Sequence, residues 1–226
     1  MRTFMLFFIT SFLCSSLAST AQETILNRYD KEGKRHGEWK EYYDESRNLL
    51  KFEGKFAHGK ETGLFKFYQE GLKQPAAIME FDPASDTVRG KYLTQKGKTI
   101  SEGNLFNQQR TGLWTYYHKD SDEVMMTETY SNGKLNGTKK IFYPGGKLAE
   151  EATFVNGELH GPRKLFSVKG VVLEDLLYKN GELHGSASFY NGKGELMSEG
   201  EYRHNKHHGT WRYYENGKLV REKDFK

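Results

Sequence analysis

Large rings recur along this chain at places fixed by glycine. With Gly37, Gly63, Gly90, Gly112, Gly137, Gly161, Gly185 and Gly209 as phase markers, the intervals are 26, 27, 22, 25, 24, 24 and 24 residues. Two residues after the marker stand Trp39, Phe65, Tyr92, Trp114 and Trp211, and five after it stand Tyr42, Tyr68, Tyr117, Phe142, Phe166, Tyr190 and Tyr214. A third ring precedes the next marker by about seven residues: Tyr29, Phe56, Tyr130, Phe154, Tyr178 and Tyr202, with Phe81 and Phe106 slightly displaced. Each half-repeat is short, rich in Tyr, Phe, Trp, Val and Thr, and bounded by glycine turns, which reads as strand, turn, strand, turn. Asn132-Gly133, Asn156-Gly157, Asn180-Gly181 and Asn216-Gly217 fit tight hairpin turns, because Asn and Gly accept positive φ at low cost. No stretch after residue 23 keeps a helical period. The pattern predicts an all-β fold: an elongated, single-layer antiparallel β-meander of eight hairpin repeats, each touching only its neighbours. Alternation along a strand puts the places two and four after the marker on one face and the place five after on the other.

The run Gly-x-Trp-x-x-Tyr-Tyr, then Asn-Gly-Lys-Leu, then Tyr-x-Asn-Gly-x-x-His-Gly resembles the MORN repeat. It is most similar to the variant MORN repeats of the bacterial YwqK-type antitoxin family, over roughly residues 24–226. Four repeats depart from it. Tyr92-Leu93-Thr94 lacks the tyrosine pair, and Lys139, Arg163 and Ala187 stand in the tryptophan place. The resemblance implies a repeat fold and a binding role, toward a toxin in an antitoxin or immunity protein, or toward phospholipid.

Residues 1–21 read as a secretory signal: Arg2, an apolar run from Phe4 to Leu13, and small residues at Ser19-Thr20-Ala21, with cleavage expected after Ala21. That predicts export, to a periplasmic, outer-membrane-associated or secreted location, with residues 22–226 as one repeat domain. The only cysteine, Cys14, lies inside the leader, so disulfides, a thiol nucleophile and cysteine zinc sites are all excluded from the mature chain. Removing Arg2 leaves 33 basic and 30 acidic residues, a net of +3, with Lys and Glu interspersed and no basic block of the kind that marks a nucleic-acid groove. Residues 69–90 are the least regular stretch, with loop-like segments around a short strand, Ala77 to Phe81, and read either as an insertion that projects from one edge as a binding loop or as a tolerated change of loop length.

Histidines precede four markers, as His36, His160, His184 and His208, and His58-Gly59 repeats the dipeptide. Equivalent histidines of adjacent repeats would stand about 9–10 Å apart, at ~4.8 Å per strand, which is too far to share one ion. The group His204, His207 and His208 is denser, but no metal site and no cofactor is expected. Glu53, Glu102, Glu151, Glu199 and Glu222 recur at one place in the second strand, which points to cross-strand pairing with Lys or Arg rather than to an acid–base pair. No nucleophile elbow, phosphate loop, dinucleotide fingerprint or zincin motif is present, so a non-enzymatic role is expected. The candidate binding residues are the aromatic stripe Trp39, Phe65, Trp114, Trp211 and Tyr213. They either anchor a partner or stack as the sheet's own core. The expected function is that of an exported protein-binding scaffold or adaptor in the cell envelope. A protein is the expected partner, a membrane surface is the alternative, and the oligomeric state is open.

Overall fold

The computed structural model describes residues 25–226; the leader and its cleavage point lie outside the described residues. The described chain is strands and turns without a helix. The strands are β1 (Arg28–Tyr29), β2 (Arg35–Tyr42), β3 (Leu50–Ala57), β4 (Lys60–Tyr68), β5 (Pro75–Phe81), β6 (Thr87–Leu93), β7 (Thr99–Phe106), β8 (Gln109–Tyr117), β9 (Val124–Ser131), β10 (Lys134–Phe142), β11 (Leu148–Val155), β12 (Glu158–Phe166), β13 (Val172–Lys179), β14 (Glu182–Tyr190), β15 (Leu196–Arg203), β16 (Lys206–Glu215) and β17 (Lys218–Phe225). Each pairs antiparallel with the strand before and the strand after it, so spatial order is chain order from β1 to β17 in one open, single-layer sheet. The edges are a two-residue strand, β1, and the charge-bearing β17, both of which discourage edge-to-edge pairing.

Two kinds of connection alternate. The odd-to-even turns are mostly two residues long with both at positive φ: His58-Gly59, Asn107-Gln108, Asn132-Gly133, Asn156-Gly157, Asn180-Gly181 and His204-Asn205. This is the turn whose twist matches that of the strands. The second turn residue then donates its N–H to a carbonyl one repeat back, as from Gly59 to Arg35, Gly133 to Arg110, Gly157 to Leu135 and Gly181 to Leu159, so the turns tie consecutive repeats along one rim.

Six even strands, beginning with β4, also carry a bulge at the marker glycine. Between Glu53–Lys66 and Lys55–Thr62, β3 advances two residues while β4 advances four. The same excess recurs in β8, β10, β12, β14 and β16. The bulge needs positive φ, and Gly63 and Gly112 supply it at +70° and +65°.

Repeat 3 corrects the sequence phase. Gly90 pairs with Met79 and Gly103 in an unbroken ladder and is not the marker; the marker place is held by Val88, opposite Phe81. A β-branched residue resists positive φ, and β5–β6 runs without a bulge. Its loop, residues 82–86, absorbs the residues that bulge elsewhere. With Val88 in place the intervals are 26, 25, 24, 25, 24, 24 and 24, so residues 69–90 hold a relocated bulge rather than an insertion. Tyr92-Leu93 then falls at the places four and five after the marker. Leu105, not Phe106, faces Val88; Phe106 is turned outward and exposed.

The registers sort the side chains into two faces. One carries the rings. The other carries a row of alternating charge: Lys40–Glu53–Lys66, Lys91–Glu102, Lys140–Glu151–Lys164–Asp175 and Glu199–Arg212–Glu222 are consecutive cross-strand partners. The recurrent glutamates are therefore structural pairs, each exposed one worth up to about 1 kcal/mol. The second tyrosine of the Tyr-Tyr pair belongs to this row. Tyr68 donates to Glu53 at 2.8 Å, Tyr117 to Glu102 at 2.5 Å and Tyr214 to Glu199 at 2.8 Å.

This row makes stability depend on pH. The Tyr117 hydroxyl, with Lys91 and Arg89, holds the Glu102 carboxyl below the usual range against the opposing cost of burial; the same bond, with burial, pushes Tyr117 up to about 12. The stability from Glu102 is thus present above the unfolded carboxylate value, about 4.3, and lost as pH falls through the lowered folded value. Carbon-detected NMR titration is expected to show Glu102 returning toward the ordinary range in Tyr117→Phe. An unchanged titration would refute the role of the hydroxyl.

Candidate functional site

The ring face is built on one column, a residue from each strand from β2 to β17. It runs Trp39–Gly54, then Phe65–Met79–Gly90–Gly103–Trp114–Glu128–Lys139–Ala152–Arg163–Leu176–Ala187–Gly200, then Trp211–Lys223. Four of the five predicted stripe residues lie in it and are core: Trp39 is 7% exposed, Phe65 1%, Trp114 0% and Trp211 2%.

Three devices bury large rings on a single layer. The first is a hole beneath the ring. A Cβ on Gly103 would stand 2.5–2.6 Å from the ring atoms of Trp114, and one on Gly54 or Gly200 would collide in the same way with Phe65 or Trp211. These glycines are present for lack of a side chain, not for positive φ. The second is a lid from the residue two before the marker. The Arg35 guanidinium lies 4.8 Å from the Trp39 ring and that of Arg110 lies 4.6 Å from Trp114; the His207 ring lies 3.9 Å from Trp211. Burial against that indole, with Lys223 nearby, holds His207 below its usual pKa. The third is a polar anchor. Where the bulge breaks the ladder, the Trp114 indole donates to the Asn104 carbonyl at 2.9 Å and Trp211 donates to the Glu201 carbonyl at 3.0 Å.

Lid and column change together. Where the column residue is Lys139, Arg163 or Ala187, the lid place holds Leu135, Leu159 or Leu183. The lid place was not read from the sequence, although this exchange is visible there. The middle of the face is charged. Lys139 lies 3.6 Å from Glu128, and Arg163 is held at both ends, by Glu150 at 3.2 Å and Glu174 at 2.9 Å. Two aromatic clusters flank it, one around Trp39, Phe56 and Phe65, the other around Leu176, Ala187 and Trp211.

The fifth predicted residue, Tyr213, belongs to a different row. Four places after each marker from repeat 2 to repeat 8 stand Phe67, Tyr92, Tyr116, Ile141, Leu165, Phe189 and Tyr213, all half-buried on the ring face. This row is the apolar surface that the column leaves available. The opposite face carries isolated exposed apolar residues, Leu64 and Leu113.

The histidines do not gather where the sequence is densest in them. His204 turns to Glu182 at 2.6 Å and His207 covers Trp211, so His204, His207 and His208 do not converge. Histidines from non-equivalent repeat places do meet. His36 and His58 rings are 4.9 Å apart, and His184 and His204 rings are 5.4 Å apart.

Among solved structures, this chain is similar to a point mutant of S. aureus TarM in complex with fondaparinux, alpha-GlcNAc-glycerol and UDP. Identity is 13%, with 59% of this chain and 21% of that chain covered and a TM-score of 0.27. A second TarM crystal structure matches at 12% identity, with 57% and 21% covered and a TM-score of 0.25. The chain spans about a fifth of the length of these structures, and likeness at this level carries no argument. No curated protein matches the chain. A family model described as the MORN repeat variant matches residues 135–156 and 208–226, which correspond to the hairpins β10–β11 and β16–β17.

Proposed function

We propose that this chain is an exported, non-enzymatic repeat scaffold that binds a protein partner along its ring face, with the half-buried row from Phe67 to Tyr213 as the contact. The observation that carries this reading is the row itself. Seven successive repeats present a large apolar side chain at one place on one face, part of it open to solvent. The packed column runs beside the row on the same face, and Arg163 with its glutamates adds a polar centre, matching the mixture of apolar anchors and charge found in protein interfaces. The recurrent carboxylates of the opposite face are engaged by neighbouring cations and tyrosines, which favours binding over acid–base chemistry. Neutralisation of a toxin is one form this binding could take, since the MORN repeat variant is also the pattern that underlies the antitoxin resemblance.

The test starts from partners crosslinked to the purified protein in envelope and secreted fractions of the source cells. Each captured partner is purified and its affinity measured directly. Tyr92→Ser, Leu165→Ser and Tyr213→Ser together are expected to cost about 2 kcal/mol or more of binding, whereas Leu64→Ser with Leu113→Ser leaves it unchanged. Equal loss from the two faces, or binding only to anionic vesicles at low salt, would replace this reading, the latter with a phospholipid-surface role.

A further inference from the structure

We propose that Asp30, His36 and His58 form a binding site for a divalent first-row transition ion. Three parts of the chain bring them together. The turn between β1 and β2 supplies Asp30, whose Oδ1 accepts the N–H groups of Glu32 and Lys34, both at 2.9 Å. Its Oδ2 is thereby aimed outward and meets His58 Nδ1 at 2.7 Å. His36 sits at the start of β2, opposite Arg28 of β1. His58 opens the β3–β4 turn at φ +50°, and the Gly59 N–H donates to the Arg35 carbonyl at 2.8 Å, which pins that turn beside β2.

The ligand atoms of all three residues lie within 4.8 Å of one another. A tetrahedral zinc with bonds near 2.0–2.1 Å sets its ligands about 3.3 Å apart, so a small opening of the Asp30–His58 contact seats an ion. His36 Nδ1 is buried and has no hydrogen-bond partner among the described residues, an uncommon state for such an atom. The site opens into a cleft of about 450 Å³ bordered by Arg28, Tyr29, Lys31 and Glu32, and His58 is mostly solvent-exposed. That leaves a coordination position facing water. Two imidazoles and one carboxylate suit Zn²⁺ and its neighbours rather than Mg²⁺ or Ca²⁺. Arg28 and Lys31 oppose a cation at the rim, where Glu32 is paired with Lys34 at 2.7 Å; the Asp30 carboxylate supplies the site's negative charge.

The corresponding place in repeat 7 provides an internal control. His184, His204 and Glu182 reproduce part of the arrangement, but their ligand atoms do not gather within the same distance.

The test is calorimetric titration of the purified protein with ZnCl₂. One ion per chain is expected. His58→Asn removes a ligand but keeps the turn, since Asn holds this place at Asn107, Asn132, Asn156 and Asn180. Asp30→Asn keeps the Oδ1 acceptor and removes the carboxylate. Each is expected to weaken Zn²⁺ binding roughly tenfold or more and to abolish the rise in melting temperature that Zn²⁺ produces in the parent. His204→Asn is expected to alter neither. Absence of saturable binding, undiminished binding in both Asp30→Asn and His58→Asn, or equal loss in His204→Asn would overturn the assignment. Circular dichroism without metal confirms folding, and either of the two site variants suffices alone.

Discussion

Replacing Trp114 with alanine is expected to destabilise the protein by about 3–5 kcal/mol, the range for truncating a buried tryptophan. The ring is fully buried, lies over Gly103, is covered by Arg110 and ties off the Asn104 carbonyl. Alanine empties the space, strands the carbonyl and removes the surface on which Arg110 lies. Arg110 also donates to Tyr116 at 2.8 Å and to Tyr130 at 3.2 Å, so its loss of support spreads into the next hairpin. Trp114→Phe separates the contributions. It keeps much of the apolar area but leaves the carbonyl unpaired, an added cost of about 1 kcal/mol or more. Urea unfolding followed by circular dichroism reads both. In a chain of nearest-neighbour contacts the alanine variant should also split the transition, because Trp114 stands between the two aromatic clusters.

Gly103→Ala is expected to cost about 1–3 kcal/mol although it adds only a methyl group, as overpacking does. The new Cβ would stand 2.5 Å from the Trp114 ring, against ring-fusion atoms that cannot swing away. The cost should disappear in the Trp114→Ala background, where the same methyl partly fills the hole; a double-mutant cycle measures that coupling. Gly112→Ala is a comparison of different origin. Nothing lies within 4 Å of its added Cβ, yet φ is +65°. About 1–2 kcal/mol is therefore lost to backbone strain, and that loss persists in the Trp114→Ala background. Additive costs at Gly103 would refute the pairing of hole and ring.

The same contrast between glycines separates what the sequence disclosed from what it concealed. Asn-Gly turns, alternating rings and the recurring glutamate are local signals, and the hairpin repeat, the turn positions and the polar row were legible from them. Glycine, however, serves two purposes in this chain. Gly63 and Gly112 turn the backbone, whereas Gly54, Gly103 and Gly200 make room for a ring, and Gly90 lies in the same column. A phase drawn through glycines alone therefore slipped at Gly90 and missed Val88. The choice between core and contact was left open for the tryptophans for a related reason: the floor comes from another strand and the lid from across the bulge, and only the register brings Gly103 and Arg110 to Trp114. His36 and His58 meet because the β3–β4 turn is hydrogen-bonded back to Arg35, a contact that comparing equivalent repeat places leaves out.

The division of the ring face into core column and contact row is tested most directly by intrinsic fluorescence. The chain has three tryptophans, all in the column. Native emission is expected to lie to the blue of that in urea, with acrylamide quenching far weaker than in the unfolded chain. Emission and quenching in buffer that match the unfolded chain would show exposed indoles, and would return the tryptophans themselves to the candidate binding surface.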